Sequence, residues 1–227
     1  RRVLFRSALV DTLATAQQQG ADAIDVYCDV GAFTLEETRR LLARAKAVGL
    51  LLRCHAEQFT YTGAAQLAAE LGARSVEHLE QLDPPGRAAM AAHQTIANLL
   101  PGAALTLRLP WPDAAQLRNA GVTIALGTDC NPGSSHTPSQ QLMMSLACTQ
   151  MGLSCAESWL AVTQHAARSI GCDARGQLVP GAPADFVLWD ADGFQQVCQQ
   201  LGHNLVRSVW VAGTEQVLDG VRVSAAE

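Results

Sequence analysis

The stretch LLLRCHAEQF, residues 50–59, places three leucines directly before Arg53, Cys54 and His55. A short apolar run with polar residues at its end is typical of a strand that is buried in a sheet and reaches a surface only where it ends. His55 would then end a strand, which is where parallel folds carry their functional groups. The rest of the chain shows whether other strands end in the same way.

Apolar runs of strand length recur on both sides of this stretch. The runs are AIDVYC (23–28), LLLRCH (50–55), RSVEHL (74–79), TIANLL (95–100) and VTIALGTD (122–129). Segments with a helical pattern separate them, at 34–48, 61–71, 84–92 and 112–120. Regular alternation of strands and helices predicts parallel βα units, so the fold class is α/β.

The helix predicted at 34–48 has the clearest boundaries. Thr34 is a suitable N-cap, Glu37 three residues later completes a capping box, and Gly49 ends the segment. Two further helices are predicted after the last strand, at about 137–150 and 155–169.

The chain changes character at Gly176. The stretches GQLVPGAPADFVLWD and VRSVWVAGTEQVLDG have the composition of short strands joined by Gly and Pro turns, and a patch of helical period, GFQQVCQQLG, lies between them. We therefore predict a separate β-rich unit over 176–227, following a first unit over 8–175.

The first seven residues, RRVLFRS, match one reading frame of a sequencing-library adapter, and we predict that 1–7 are a non-native leader.

The number of βα units decides between two architectures. A closed eight-stranded βα barrel takes about 250 residues, whereas five units are visible in these 227 residues. The chain is therefore an open doubly wound sheet or part of a barrel. The first strand is not followed by G-x-G-x-x-G, and G-x-x-x-x-G-K-[ST] does not occur, so the usual nucleotide-binding reasons for an open sheet are missing. This favours a partial TIM-like (β/α)8 barrel.

Charge and composition exclude several classes of function. A formal net charge of −5 provides no basic surface for a phosphate backbone, so we expect no nucleic-acid partner. The apolar runs are shorter than the roughly 20 residues that cross a bilayer, and the N-terminus lacks a signal-peptide pattern, so we expect no membrane partner. Seven cysteines without a C-x-x-C pair fit reduced thiols and a cytoplasmic location.

Three of the predicted strands end in groups that bind metal ions. The second ends in His55, the third in His78 and the fifth in Asp129. Because the carboxyl ends of parallel strands share one rim, these side chains should meet there. Imidazole nitrogen and carboxylate oxygen are ligands for zinc or iron, and a carboxylate beside a metal-bound water can take its proton. Singly, each residue has an ordinary alternative, such as a hydrogen bond at the rim or the start of a turn.

The remaining histidines give weaker signals. His93 and His165 fall on predicted helices and His203 lies in the tail, so structural roles are expected for all three. His136, in the loop after Asp129, is left open between the two interpretations.

The spacing of these motifs resembles the C-terminal half of the imidazolonepropionase family of metal-dependent amidohydrolases. The resemblance is carried by HAEQF, SVEHLE, NLLP and LGTDCNPGSS, with LMMSLACTQMGLSCAESWLAVTQHAARSIG and GQLVPGAPADFVLWD after them, and it runs from about Asp22 to the end. It implies an amidohydrolase barrel with a small β-sandwich, to which 176–227 would contribute. It also implies hydrolysis of the cyclic amide of 4-imidazolone-5-propanoate to N-formimidoyl-L-glutamate, in histidine degradation.

The resemblance also implies metal and catalytic roles. His55 and Asp129 would bind one zinc or iron ion. Asp129 would move the proton of the attacking water, and His78 would polarise the carbonyl or steady the tetrahedral intermediate. Glu57, the nearest ionisable group to His55, is a weaker catalytic candidate.

Four further residues would contact a small-molecule substrate. Gln58 matches a position that touches the substrate ring. Asn131, Gly133 and Ser134 match positions that hold the propanoate or the product, which is plausible because a glycine loop exposes backbone N–H groups to an anion. A turn held by Pro132 and Gly133 is the alternative. A homodimer is possible for the full-length enzyme.

The sequence departs from the family pattern in one respect. The family's first barrel strand carries an H-x-H pair for the same metal, and these 227 residues contain no H-x-H. We therefore expect the chain alone to be inactive and prone to aggregation. The alternatives are another amidohydrolase, such as an aminopurine deaminase, or a non-catalytic remnant that serves as an interaction domain.

Overall fold

The computed structural model describes residues 2–223. The helices in this range are α1 Arg2–Gln18, α2 Leu35–Ala47, α3 Ala64–Leu71, α4 Pro84–Ala92, α5 Pro101–Leu107, α6 Ala114–Asn119, α7 Gln140–Gln150, α8 Cys155–Val162, α9 Gln164–Ser169 and α10 Phe194–Gln199. The strands are β1 Ala23–Cys28, β2 Leu51–Ala56, β3 Ser75–His78, β4 Ile96–Leu99, β5 Ile124–Leu126, β6 Phe186–Trp189, β7 Val206–Val211, β8 Thr214–Leu218 and β9 Val221–Arg222.

The first five strands form one parallel sheet in the order β1-β2-β3-β4-β5. Each strand therefore pairs with the next one along the chain, and a helical connection precedes each pairing. A doubly wound sheet would reverse its strand order at a switch point, whereas a βα barrel adds strands in chain order. The prediction of a partial barrel over a doubly wound sheet is confirmed, and the sheet is open at β1 and β5 among the described residues.

The predicted element boundaries agree with the structure to within a few residues at most positions. β1 has the predicted bounds, and Thr34 and Glu37 form both hydrogen bonds of the capping box at the start of α2. Helix α5 was not predicted, because it is short and opens with Pro101 and Gly102 directly after β4. Proline at the first helical position needs no N–H partner, which explains why the chain can turn into a helix there.

Small side chains set the spacing between the sheet and its helices. In α3, Ala64, Ala65 and Ala68 are fully buried. In α2, which packs on β1 and β2, Leu41 and Leu42 are almost completely buried. An alanine-rich sequence with few aromatic residues can thus form a dense core, because its helices approach the strands closely.

The last strands form a second, antiparallel sheet in the order β6-β7-β8-β9. Helix α10, which lies between β6 and β7 in the chain, packs on α7 and α8. The side chain of Gln141 in α7 forms two hydrogen bonds with this segment. Its Nε2 donates to the carbonyl of Val197 at 3.2 Å, and its Oε1 accepts from the N–H of Leu205 at 3.1 Å. The β-rich tail is therefore anchored on the last helices of the parallel unit. The domain limits 8–175 and 176–227 stay predictions.

The predicted leader coincides with the start of α1, which runs without interruption from Arg2. The non-native origin of residues 1–7 stays a prediction. Among the helices of residues 2–223, none combines the length and the hydrophobicity that a membrane crossing requires.

Two glycines near the start of the β-rich tail, Gly176 and Gly181, should differ in how well they tolerate substitution by alanine. Gly176 and Gly181 both have positive φ, but a Cβ on Gly176 would lie 2.5 Å from the carbonyl group of Thr163, whereas a Cβ on Gly181 meets nothing within 4 Å. Gly176→Ala should therefore reduce the free energy of unfolding by about 1–3 kcal/mol more than Gly181→Ala. Urea unfolding of the chain, carried on a soluble fusion partner, measures both. Equal losses would contradict the close approach to Thr163.

Candidate metal centre

The carboxyl ends of the parallel strands surround a cavity of about 380 Å³. Its lining comprises Tyr27, His55, Gln58, Phe59, His78, Leu107, Asp129, Asn131, Gly133 and Ser134. The structure thus brings together every predicted site residue except Glu57. A larger cavity of about 1100 Å³ lies between α7, α8 and the second sheet, and its lining is mainly apolar. The smaller cavity holds the clustered ionisable groups, so we place the chemistry there.

His55 is fixed by a carboxylate from the neighbouring strand. Its Nδ1 lies 2.8 Å from Oδ1 of Asp25, which leaves Nε2 as the free ring nitrogen. A histidine that ligates a metal usually donates its other N–H to a carboxylate or carbonyl in this way, because the contact fixes the tautomer and the ring orientation. The local structure around His55 therefore has the form of a metal ligand.

The same contact sets the charge states of both partners. Burial lowers the pKa of His55, but the hydrogen bond to Asp25 and the charges of Asp25, Glu77 and Asp129 outweigh it, so the pKa lies above its ordinary value. For Asp25, burial raises the pKa, while the hydrogen bond and charge of His55, with Arg53, bring it below its ordinary value. The two groups form an ion pair whenever the imidazole is protonated.

A second layer of charges lies along the strands next to this pair. Nη2 of Arg53 is 2.8 Å from Oε1 of Glu77, and the same oxygen accepts from Oγ of Ser75 at 2.6 Å. Oε2 of Glu77 is buried without a hydrogen bond. Ligand atoms of Asp25, His55 and Glu77 lie within 4.8 Å of one another, a spacing that a metal ion would accept. The guanidinium of Arg53 already neutralises the charge of Glu77. We therefore interpret Arg53 and Glu77 as residues that hold the surroundings of His55 in place, and we do not assign them as metal ligands.

His78 ends β3 in a strained backbone conformation. Its φ is 78° and that of Leu79 is 74°, two consecutive left-handed residues that are not glycine. Such strain persists only where the surroundings enforce it, and it is common at functional sites. The ring is buried, and its centroid lies 5.1 Å from that of His55.

The far side of the His78 ring faces a buried carboxylate. Nδ1 lies 3.6 Å from Oε1 of Glu80, and neither His78 Nδ1 nor the two Glu80 oxygens has a hydrogen-bond partner. A small movement of either side chain would complete this hydrogen bond. Glu80 was not among the predicted residues, although it lies only two positions after His78.

Asp129 begins a loop that is closed by its own side chains. Oδ1 of Asn131 accepts from the N–H groups of Gly133 and Ser134, both at 2.8 Å, and Nδ2 of Asn131 donates to the carbonyl of Asp129 at 2.6 Å. Oγ of Ser134 donates to Oδ2 of Asp129 at 3.1 Å. The loop therefore positions the Asp129 carboxylate. The sequence predicted that the backbone N–H groups of this loop are open to an anion, but those of Gly133 and Ser134 donate to Asn131 instead.

Glu57 and Gln58 point to different surroundings. Glu57 has a φ of 57° and is fully buried. Its carboxylate accepts from the N–H groups of Thr62 at 2.6 Å and Ala65 at 3.1 Å, at the start of α3. Burial raises the pKa of Glu57, and these hydrogen bonds partly offset the rise. Glu57 thus stabilises a helix end, and its predicted catalytic role has no contact with the cavity to support it.

Gln58 faces the cavity together with an aromatic residue that was not predicted. The hydroxyl of Tyr27 donates to Oε1 of Gln58 at 3.1 Å. Burial, with the charges of Asp29, Glu80 and Asp129, raises the pKa of Tyr27 to about 12, so this hydroxyl remains a donor at physiological pH. The alternation of β1 carried the signal, since Asp25 and Tyr27 share one face and lie opposite Arg53 and His55.

The other histidines lie apart from this cavity lining. His165 contacts the carbonyl of Ile124 through Nδ1 at 2.8 Å, and His93 caps the end of α4. Nε2 of His136 is 2.7 Å from the carbonyl of Pro132, on the outside of the Asp129 loop. His203 lines the larger apolar cavity.

Comparison with protein families gives a match over most of the chain. The model of the amidohydrolase family matches residues 7–217. The imidazolonepropionase of Deinococcus deserti is 43% identical over 199 residues, which are 88% of this chain and 50% of that protein. The imidazolonepropionase of Paracoccus denitrificans is 44% identical over 193 residues, 85% of this chain and 48% of that protein. The chain spans about half the length of the curated relatives it matches.

Solved structures show the same fold. A zinc-bound adenosine deaminase from Xanthomonas campestris has a TM-score of 0.76 at 19% identity, over 90% of this chain and 53% of that one. A mutant atrazine chlorohydrolase from Arthrobacter aurescens, complexed with zinc and atraton, has a TM-score of 0.79 at 16% identity, over 97% and 57% of the two chains. The strand arrangement is therefore that of part of an amidohydrolase barrel.

The contact between Asp25 and His55 predicts a pH-dependent effect of Asp25→Asn. The pKa of His55 is higher in the folded chain than its unfolded value of 6.5, so protonated His55 stabilises the fold at pH below 6.5. That stabilisation is lost as pH rises through the folded-state pKa. The pKa of Asp25 is lower in the folded chain than its unfolded value of 3.8, so ionised Asp25 stabilises the fold at pH above 3.8. That stabilisation is lost as pH falls through the folded-state pKa. The substitution should therefore reduce the free energy of unfolding more near pH 5 than near pH 8.5.

Urea unfolding of the chain on the soluble fusion partner, at the two pH values and with a chelator present, measures this difference. Asp11→Asn, on the exposed face of α1, makes the same change of charge and serves as the control. An equal loss at both pH values would show that the ion pair contributes nothing to stability.

Proposed function

We propose, from the premise that this chain belongs to the amidohydrolase family, that it supplies the C-terminal half of an imidazolonepropionase. The reaction is hydrolysis of the cyclic amide of 4-imidazolone-5-propanoate to N-formimidoyl-L-glutamate, in histidine degradation. The observation that carries the proposal is the single cavity lined by His55, His78 and Asp129. Relatives of that name at 43–44% identity support this reaction over others of the family.

The residues of the cavity fit one divalent metal ion. His55 would bind it through Nε2, because Asp25 engages Nδ1, and the carboxylate of Asp129 would provide a second ligand. Zinc and iron both accept this set of nitrogen and oxygen ligands. When bound, such an ion lowers the pKa of a water ligand from about 15.7 toward 7 and polarises a carbonyl. The zinc in the two structural neighbours makes zinc the first ion to test.

The proposal gives Asp129 the task of moving the proton of the reaction. Its Oδ2 accepts a hydrogen bond from Ser134, which orients the carboxylate. We propose that Asp129 takes a proton from the attacking water and passes it to the ring nitrogen that leaves, so that one group serves as base and then as acid.

We propose that His78 stabilises charge on the carbonyl oxygen. A ring that carries a proton on Nε2 can donate it to that oxygen. The buried carboxyl group of Glu80, 3.6 Å from Nδ1, would hold the other side of the ring and fix its orientation. A donor held at the position where negative charge develops lowers the barrier, because it requires no reorganisation during the reaction.

The remaining cavity residues suit a planar ring with polar edges. Gln58, held by Tyr27, offers its amide N–H groups, and Phe59 offers an apolar face. Asn131, Gly133 and Ser134 stay the proposed contacts of the propanoate, which would have to displace Oδ1 of Asn131 from the N–H groups of Gly133 and Ser134. Among the described residues, the cavity lining includes no Lys or Arg, so the charge partner of the propanoate would lie in the portion of the relatives that this chain does not span.

The proposal extends to the setting of the enzyme. Seven free cysteines are consistent with a cytoplasmic protein, and a homodimer is the proposed assembly of the full-length enzyme. Another amidohydrolase, such as an aminopurine deaminase, is the competing function. The deaminase neighbour supports it by fold alone, at 19% identity.

The activity is tested in a chimera that joins residues 8–227 to the N-terminal half of the Deinococcus deserti relative. We expect it to hydrolyse imidazolonepropanoate and to leave guanine and adenosine unchanged. His55→Ala and Asp129→Asn should each lower kcat/KM by about 10²–10⁴-fold or more, since both remove a group that acts on the reacting water. His93→Asn, at the exposed end of α4, is the control. Deamination of guanine without hydrolysis of imidazolonepropanoate would overturn the assignment.

The chain by itself is expected to be inactive and to aggregate, because β1 and β5 are open strand edges among the described residues. Size-exclusion chromatography and metal analysis of the unfused chain test this. A soluble monomer that retains one zinc or iron ion through gel filtration, and loses that ion when His55 is replaced by Ala, would contradict it.

A further inference from the structure

Three cysteines meet where α7, α8 and α10 pack on one another. Cys148 near the end of α7, Cys155 at the start of α8 and Cys198 in α10 have sulfur atoms within 4.8 Å of one another. We call these residues the thiol cluster. The first two belong to the last helices of the parallel unit, and the third belongs to the tail, so the cluster lies where the two units join.

The spacing of the sulfur atoms suits a metal ion. Around a zinc ion with Zn–S bonds near 2.3 Å, thiolate sulfurs are separated by about 3.8 Å in tetrahedral geometry. Sulfur atoms within 4.8 Å of one another need only small side-chain rotations to reach that separation. They come from three different helices, so an ion between them would be held from three directions.

The surroundings of the thiol cluster are apolar on one side and open on the other. Met144 and Val197 are almost fully buried beside Cys198, and Trp159 and Trp189 pack around them. Cys148 and Cys155 are partly exposed, so an ion can enter from solvent. This arrangement excludes most competing ligands while leaving a path for the ion.

Two local features stabilise negative charge on the sulfurs. Cys155 is the first residue of α8, so its side chain lies at the positive end of the helix dipole. The buried hydroxyl of Ser158 lies 3.2 Å from Sγ of Cys148 and can donate to it. Three thiolates around a divalent ion carry one net negative charge, which these contacts offset.

We propose that Cys148, Cys155 and Cys198 bind one thiophilic divalent metal ion, zinc in the cell, through three thiolate sulfurs, with a water molecule as fourth ligand. Each thiol that binds releases its proton to solvent. The ion clamps α10, and with it the second sheet, to α7 and α8. This site is separate from the cavity of His55 and Asp129 and does not depend on the proposed function.

The alternative is a set of ordinary buried thiols, since free cysteine is among the most frequently buried residue types. Burial raises the pKa of Cys148 and of Cys198, so without metal these two remain thiols at neutral pH. Packing alone would make the three residues replaceable by other small side chains. It would give them no preference for a soft cation.

Cadmium titration of the full chain tests the proposal directly. The chain is carried on a cysteine-free fusion partner and contains His55→Ala, which removes the other candidate site. We expect one equivalent of Cd(II) to produce the ultraviolet sulfur-to-cadmium charge-transfer band. Cys148→Ser, Cys155→Ser and Cys198→Ser should each weaken binding by at least about tenfold, while Cys130→Ser and Cys172→Ser leave it unchanged. An equally strong band in the triple Cys148, Cys155 and Cys198 to Ser variant would overturn the proposal.

A measurement without cysteine substitutions covers the case in which these variants fail to fold. The His55→Ala chain is treated with an alkylating reagent in the presence and absence of zinc, and modified peptides are identified by mass spectrometry. Zinc should slow modification of Cys148 and Cys155 at least about tenfold relative to the exposed Cys130. Equal slowing at all cysteines, no slowing, or a disulfide within the thiol cluster would each overturn the proposal.

Discussion

The parallel register of β1, β2 and β3 is the constraint on which the candidate site depends. It places Asp25 beside Arg53, Tyr27 beside His55, and His55 beside Glu77. Side chains on one face of adjacent strands are then forced into contact. The imidazole acquires a carboxylate partner at 2.8 Å, and Glu77 acquires its guanidinium partner. A shift of one residue in either pairing would turn these groups to the opposite face, where the apolar helices pack.

Backbone strain at the strand ends converts this sheet into a cavity. Glu57, His78 and Asp129 all follow or end a strand with positive φ, although none is a glycine. At Glu57 the turn sends one side chain to α3 and leaves the next, Gln58, facing the cavity. At Asp129 the turn is held by Asn131 and Ser134. The geometry of the site is therefore maintained by hydrogen bonds around each turn, since the backbone alone would not adopt it.

Sequence reasoning found the parts of the site that local patterns encode. His55, His78 and Asp129 could be predicted because each follows a recognisable strand. Asp25 and Tyr27 were missed: the alternation of β1 puts them on one face, but their partners depend on the register between two strands, which no local pattern fixes. The different environments of Glu57 and Gln58 depend on one backbone angle. The thiol cluster joins Cys198 to Cys155 and Cys148, which lie 43 and 50 positions earlier in the chain, through helix packing that no spacing motif reveals.

The partial barrel and the residues at its strand ends form one side of the proposed metal site. The most direct test is anomalous diffraction from crystals of the zinc-loaded chimera with the Deinococcus deserti N-terminal half. The account predicts an anomalous peak about 2.0–2.2 Å from both His55 Nε2 and a carboxylate oxygen of Asp129. A zinc ion bound in the barrel but out of reach of both residues would contradict it.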